Sequence, residues 1–217
     1  MNVLLRGGLL CACLASVAGC TATSGNAVDT LWFALRGQPS VVTPERLAAL
    51  SVPALEVNLG YASALMVLGS QAGARQEWAG TAEMLVTHHG RVTQLVGLPV
   101  DPIMPLLPDD PFISGLHRVA DGTRVTRLVD YPARYQTGLR QHATSRQRGV
   151  SPLEIHGQTL DLLRVDEEIH MPELGFRATN RYWLNPQTGF IHRSAQHLAP
   201  DLPVMELAVI NPGRSAP

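Results

Sequence analysis

The sequence predicts a mainly β protein: an antiparallel curved sheet, as an open barrel or a sandwich, with short N-terminal helices. Short runs are separated by Gly, Ser and Gln, and in one of them Val92 alternates with polar neighbours, a pattern typical of strands. The strand–helix–strand alternation that builds a parallel sheet does not appear. The chain has 217 residues, enough for one domain whose core supports itself.

The first twenty residues predict a lipoprotein leader. Arg6 supplies a short basic region, and residues 7–17 form an apolar run too short to span a bilayer. The run ends in Val17-Ala18-Gly19-Cys20, which resembles a bacterial lipobox. We expect residues 1–19 to be a cleaved signal peptide, and Cys20 to carry a diacylglyceryl thioether and a third acyl chain of the palmitate type. The alternative is an ordinary secretory signal in which Cys20 is incidental.

The residues around Cys20 predict where the protein is held. Two or three acyl chains give stable anchoring, and residues 20–27 are small and polar, as expected of a flexible tether. Thr21 stands where an Asp would retain a lipoprotein in the inner membrane. We therefore expect a lipid anchor in the outer membrane and a domain on its periplasmic face. No later apolar run reaches about 18 residues, which predicts an anchored rather than a spanning chain.

Cysteine and charge counts narrow the possible functions. Cys11 and Cys13 lie in the leader, so the mature domain has no thiol for a nucleophile, a disulfide or a thiolate metal site. The 17 basic residues, all arginine, are balanced by 18 acidic ones, which argues against a nucleic-acid groove. The densest arginine run, residues 124–148, includes Arg127 and has a spacing that suits a solvated strand and loop.

Two short helices are expected before the sheet. In residues 28–36 the apolar side chains share one face, Asp29 favours the N-terminal end, and Gly37 ends the helix. A second helix begins at a Thr43 N-cap and ends near Leu50. These helices open a single domain that we place at residues 28–212, followed by a flexible tail at 213–217.

The rest of the domain predicts strands in two halves. Five prolines in residues 99–111 argue against a helix or a central strand, so we expect a long ordered loop between the halves. The halves resemble each other, because residues 84–97 and 182–197 both contain a predicted strand, a turn ending in Gly and a second strand. The predicted strands are Leu55–Gly60, Ser63–Leu68, Arg75–Ala79, Glu83–Thr87 and Arg91–Gly97, then Arg124–Tyr131, Tyr135–Ala143, Gln158–Val165, Phe176–Leu184, Gly189–His197 and Pro203–Ile210.

Two ordered motifs resemble a known family. The first is Gln76-Glu77-Trp78 followed by the hairpin Leu85-Val86-Thr87-His88-His89-Gly90-Arg91-Val92, which continues to Gly97-Leu98. The second is Asn180-Arg181-Tyr182-Trp183-Leu184, with Gly189 and Ser194-Ala195-Gln196 after it. Together with the leader, they make the chain similar to the YjbF/GfcB group of bacterial lipoproteins. The resemblance implies a mainly β lipoprotein encoded with exopolysaccharide or capsule secretion genes, with no known enzyme activity and no catalytic residues to carry over.

Catalytic and metal sites have weak support. A Gly-x-Ser-x-Gly elbow and a His-Glu-x-x-His helix are both absent from the sequence, and the pairs His88-His89 and His192/His197 do not share a strand face. A polysaccharide hydrolase would need two facing carboxylates, one with a raised pKa. The acidic candidates for such a pair are Asp109, Asp110, Asp161, Asp166, Glu167 and Glu168.

Glycan or partner contacts are expected on the two motifs. Tyr182 and Trp183 are neighbours in a strand, so one should face the core and the other outward. The alternative is that Trp78 and the inward member of that pair are simply core residues. The candidate contacts are Trp78, Arg91, Asn180, Tyr182, Trp183 and Gln196.

The sequence favours a non-catalytic binding or scaffold role in exopolysaccharide or capsule production. We expect the partners to be the membrane, through the lipid anchor, and polysaccharide or secretion proteins, and we expect neither a cofactor nor a metal. Two other functions stay open. A buried facing carboxylate pair would favour a polysaccharide-modifying hydrolase, and a dry apolar cavity would favour a periplasmic lipid carrier.

Overall fold

A computed structural model describes residues 50–211. The leader, Cys20, the tether, most of the two predicted N-terminal helices and the 213–217 tail lie outside the described residues. Within residues 50–211, no helix is both long enough and apolar enough to cross a membrane. The one α-helix described there, α1, is Pro111–Ser114.

The described chain forms eleven strands in one antiparallel sheet that curls into a half-barrel. The open-barrel prediction is therefore confirmed, and the sandwich does not form. The strands are β1 Ala54–Asn58, β2 Ser63–Ala72, β3 Arg75–Ala79, β4 Met84–His88, β5 Arg91–Val96, β6 Arg124–Tyr131, β7 Gln136–Ile155, β8 Gln158–Met171, β9 Phe176–Leu184, β10 Ile191–Gln196 and β11 Met205–Asn211.

The sheet consists of two meanders joined at its middle. The strand order is β5-β4-β3-β2-β1-β11-β10-β9-β8-β7-β6. Each strand therefore pairs with its neighbour in sequence, except that β1 pairs with β11, with Leu55 opposite Val209. Strands β5 and β6, which are consecutive in the chain, lie at opposite edges of the sheet. The proline-rich segment connects these two edges.

One residue of that segment touches both edge strands. Ile103 forms isolated bridges with Gln94 of β5 and Asp130 of β6. The amide of Ile103 donates to the Asp130 carbonyl, and the Asp130 amide donates to the Ile103 carbonyl, both at 2.9 Å. The Met104 amide donates to the Thr93 carbonyl on the other side, at 2.7 Å. We call this contact the seam, because it links the edges of the half-barrel.

The longest hairpin exceeds its prediction. The sequence predicts that β7 ends at Ala143 and β8 at Val165, but β7 continues to Ile155 and β8 to Met171. The prediction for β7 is wrong because arginines and a proline in residues 146–152 have the composition of a solvated loop. Cross-strand pairing overrides that composition, and the register shifts between Gln147 and Val150.

A polar layer crosses the interior of the half-barrel. Inward-facing residues form two apolar clusters. The first contains Val129 and Tyr131 of β6 and Met171 of β8. The second contains Val165 of β8 and Tyr182 of β9. Between the clusters, the same strands present buried polar side chains, and these define the interior site described next.

Candidate functional site

The polar layer is built by the period-two alternation of the strands. Arg127 precedes Val129 on the inward side of β6, and Glu167 follows Val165 on β8. Asn180 precedes Tyr182 in the same phase of β9. All of these side chains are buried. We call the set of buried, hydrogen-bonded residues Arg91, Asp110, Arg127, Gln141, Glu167, Asn180, Tyr182 and Gln196 the interior network.

Arg127 holds the two buried carboxylates. Its Nε donates to Asp110 Oδ2 at 2.5 Å and its Nη2 to Asp110 Oδ1 at 3.2 Å, which makes a fork-like pair. Its Nη1 donates to Glu167 Oε1 at 2.6 Å. Asp110 also caps α1, since its Oδ1 accepts from the Phe112 amide at 3.1 Å. Arg127 therefore ties the end of the proline-rich segment to the sheet.

Glu167 is kept ionised by its partners. Its Oε2 accepts from Asn180 Nδ2 at 3.0 Å and from the Tyr182 hydroxyl at 3.3 Å. Burial alone would raise the pKa of Glu167, but the charges of Arg127 and Arg91 and the Asn180 hydrogen bond lower that pKa below its ordinary value. The carboxylate is thus charged at neutral pH.

Arg91 is the second buried cation. Its Nη2 donates to Gln141 Oε1 at 2.9 Å, and its Nη1 donates to the carbonyls of Val92 and Met104, each at 3.2 Å. Burial and the nearby charge of Arg127 lower the pKa of Arg91. The two arginines balance Asp110 and Glu167, so the interior network has no net charge.

Gln196 joins the two hairpins that carry the sequence motifs. Its Oε1 accepts from the Val92 amide at 3.0 Å, and its Nε2 donates to the Gly90 carbonyl at 3.2 Å and to Ser194 Oγ at 2.9 Å. These contacts connect β10 with the start of β5. Residues of the two motifs therefore contact each other in the fold, although about a hundred positions separate them in the sequence.

The structure buries five of the six candidate contact residues. Arg91, Asn180, Tyr182 and Gln196 belong to the interior network. Trp78 packs in the first apolar cluster, and its Nε1 donates to Thr87 Oγ1 at 3.0 Å. None of the five presents appreciable surface to a glycan. Trp183 is half-buried, points to the opposite side of β9 from Tyr182, and has the Arg193 guanidinium 5.7 Å from its ring centre.

Sequence reasoning missed Arg127 and its role. The expectation that its arginine run is solvated is wrong at this position, where the side chain is fully buried. A signal was available, because Arg127 shares the inward phase of Val129 and Tyr131. Asp110 had a weaker one, since it directly precedes a proline that starts a helix. Gln141 gave no signal apart from its strand phase.

The network's carboxylates lack the features of a hydrolytic pair. Arg127 lies between Asp110 and Glu167, and neither carboxylate reaches solvent. A general acid needs a raised pKa, whereas the pKa of Glu167 is lowered. Among residues 50–211, no group of three or more His, Cys, Asp or Glu side chains could hold a metal ion.

Alkaline pH should destabilise the protein through Tyr182. Burial and the Glu167 charge raise the pKa of Tyr182 well above 10, and burial raises the pKa of Tyr131 to about 12. The two neutral phenols therefore contribute to the free energy of unfolding below about pH 10. That contribution is lost as pH rises towards their folded-state pKa values. In urea titrations from about pH 8 to 11, Tyr182→Phe should show a shallower loss than wild type. Identical slopes would contradict this prediction.

The motif turns also border a cavity of about 380 Å³. The His89-Gly90 turn lies on one side and the Thr188–His192 segment on another, with α1 close by. Both Gly90 and Gly189 have φ of +76°, and an added Cβ would lie 2.9 Å from Ile191 at Gly90 and would collide with the His117 ring at Gly189. The two turns therefore require glycine for backbone conformation and for close packing.

Known proteins share both the sequence pattern and the fold. The family model described as group 4 capsule polysaccharide lipoprotein gfcB, YjbF matches residues 28–210. The lipoprotein GfcB of Escherichia coli K12 is 25% identical over 201 residues, which cover 90% of this chain and 94% of GfcB. The crystal structure of the hypothetical lipoprotein YmcC from E. coli K12 has a TM-score of 0.70 and 24% identity, covering 88% of this chain and 96% of YmcC.

The family match includes both motifs and every strand described here except the final residue of β11. It thereby confirms the resemblance seen in the sequence. The chain belongs to the YjbF family, the group 4 capsule polysaccharide lipoproteins that include GfcB.

Proposed function

We propose that this protein is a lipoprotein anchored to the outer membrane through Cys20, and that it supports capsule or exopolysaccharide production from the periplasmic face without catalysing a reaction. Its family is associated with capsule polysaccharide, and the relative GfcB is a lipoprotein. The lipobox in residues 17–20 supplies the anchoring residue.

The observation that supports the non-catalytic role is the burial of the interior network, whose carboxylates do not reach solvent. Its two carboxylates are bridged by Arg127, and Arg91 donates to Gln141 and to two backbone carbonyls. The carboxylates of such a network are buried and engaged, so neither is free to attack a substrate. Binding must therefore use the outer surface or the cavity beside the motif turns.

The outer surface offers a candidate contact at Trp183. Arg193, opposite Trp183 on β10, lies over its ring and donates to Glu206 Oε2 at 3.0 Å. Beside Arg193, the β7–β8 hairpin tip and β1 line a groove of about 230 Å³ with polar residues that include Asn58 and His156. An aromatic ring beside charged and amide side chains suits a glycan or a secretion partner.

Complementation of a deletion strain tests this proposal. Wild type should restore surface and released polysaccharide, whereas Cys20→Ala should not, because the domain loses its acyl anchor. Trp183→Ala should lower polysaccharide at unchanged protein level. Tyr135→Ala is the matched control, since it removes an aromatic that is 97% exposed and does not line the groove.

Two outcomes would contradict parts of the proposal. Unchanged polysaccharide amount and chain length in the deletion strain would remove the protein from the pathway. Equal polysaccharide with Trp183→Ala and Tyr135→Ala would remove the Trp183 surface as the contact and leave the anchored role intact.

A further inference from the structure

The cavity beside the motif turns has an apolar floor. The sheet contributes Leu55 of β1, Ile191 of β10, and Leu207 and Val209 of β11, and α1 contributes Phe112. Its volume of about 380 Å³ is near the lower end of the range for small-molecule sites. Such a space suits one slender apolar chain better than a whole phospholipid.

Among the described residues 50–211, no carboxylate side chain lines this cavity, and the arginine that does so, Arg193, is already used elsewhere. Arg193 donates to Glu206 and lies over Trp183. Burial lowers the pKa values of His89 and His192, so both rings are neutral at pH 7. The cavity therefore suits an uncharged group.

The aromatic side chains argue against a sugar here. A sugar ring needs an open aromatic face and free hydrogen-bond donors. Trp78 is only 2% exposed and its indole N–H is taken by Thr87. Phe112 is 1% exposed, with Tyr182 packed edge-on at 4.9 Å and the Arg127 guanidinium 5.6 Å from its ring centre. Neither ring therefore offers an open face for stacking, and the half-buried Phe190, which also lines the cavity, packs edge-on against His192 with 4.8 Å between ring centres.

Exposed polar groups mark the rim of the cavity, while the buried polar side chains that line it, Thr87 and Ser194, are already hydrogen-bonded to Trp78 and Gln196. Gln71 and Thr188 line it and are exposed, and Gln76 is half-buried. We propose that the cavity binds one acyl chain of a lipid. The hydrocarbon lies on the apolar floor that includes Leu55 and Leu207, and the polar end lies at this rim. This inference goes beyond the role in polysaccharide production and does not rest on it.

A fluorescent fatty acid can test the site directly. The whole mature chain with Cys20→Ala, exported from a conventional cleavable leader, carries no acyl chain of its own, so any bound chain comes from added probe. Titration with cis-parinaric acid should give saturable binding at one site per chain. Palmitic acid should displace the probe, and maltohexaose should not.

Three variants locate the binding. Val209→Arg places a charge beside the floor and should weaken binding at least about tenfold, because an unpaired charge in an apolar site is costly. Ile210→Arg makes the same change on the opposite face of β11 and should bind as wild type. Ala74→Phe fills the cavity from a half-buried turn and should weaken binding without adding charge.

Thermal unfolding followed by circular dichroism verifies that each variant is folded before its titration is interpreted. If Val209→Arg fails to fold, Ala74→Phe decides the outcome. Absent saturable binding, equal affinity in Ala74→Phe and wild type, or displacement by maltohexaose would overturn the acyl-chain site. None of these results bears on the polysaccharide assay, so the two proposals fail separately.

Discussion

Arg127→Met should lower the free energy of unfolding by about 3–5 kcal/mol, because removing one partner of a buried ion pair leaves charge uncompensated in the interior. Arg127 is the direct ion-pair partner of both Asp110 and Glu167, and all three side chains are at most 1% exposed. Urea titration at pH 7, followed by circular dichroism, measures the loss.

A matched variant separates burial from charge. Arg146→Met also removes an arginine paired with a glutamate, but that pair with Glu168 is 40% and 48% exposed, so we expect little change. Adding Glu167→Gln to Arg127→Met should recover part of the loss, since one stranded charge disappears. An effect of Arg127→Met no larger than that of Arg146→Met would show that the interior network contributes little to stability.

Trp78→Ala should cost about 3–5 kcal/mol, the usual range for deleting a large buried aromatic side chain. Trp78 packs against the first apolar cluster and donates its only N–H to Thr87. Trp183→Ala is the natural comparison, because Trp183 is half-buried on the other face of the sheet. Its cost should be clearly smaller, and midpoints of urea unfolding for the two variants measure the difference.

The two tryptophan variants also separate structure from binding. Trp78→Ala should reduce polysaccharide in cells only in proportion to the protein that is lost. Trp183→Ala should reduce polysaccharide at normal protein level. Comparable losses of stability in the two variants would contradict the assignment of Trp78 to the core and Trp183 to the surface.

Strands whose signal is local were predictable. Arg75–Ala79, Arg124–Tyr131 and Phe176–Leu184 match the observed strands to the residue, since glycines, prolines and other turn residues bound each of them. The extension of β7 beyond Ala143 was not predictable, because its pairing with β8 is set by the partner strand. The seam at Ile103 was missed for the same reason: its hydrogen bonds come from strands that are distant in the sequence.

The interior network shows a similar limit. Four of its members, Arg91, Asn180, Tyr182 and Gln196, came from the family motifs. Their sequence context could not reveal that they face inward together, because burial of a charge depends on a partner elsewhere. For that reason the sequence wrongly predicts that Arg127 is solvated. The sheet topology brings it to Asp110 and Glu167, and only that proximity makes its burial favourable.

The pairing of β1 with β11 also determines when the fold can be completed. During synthesis or translocation from the N-terminus, β1 is the first of the eleven strands to appear. Strand β11, which completes the hydrogen bonding of β1, is the last. Until then one edge of the first meander is open, and an unpaired apolar edge favours aggregation. Such long-range closure predicts slow, late folding. A nascent or partly translocated chain would therefore need protection until β11 arrives, so truncation before Met205 should yield aggregates rather than a smaller folded domain.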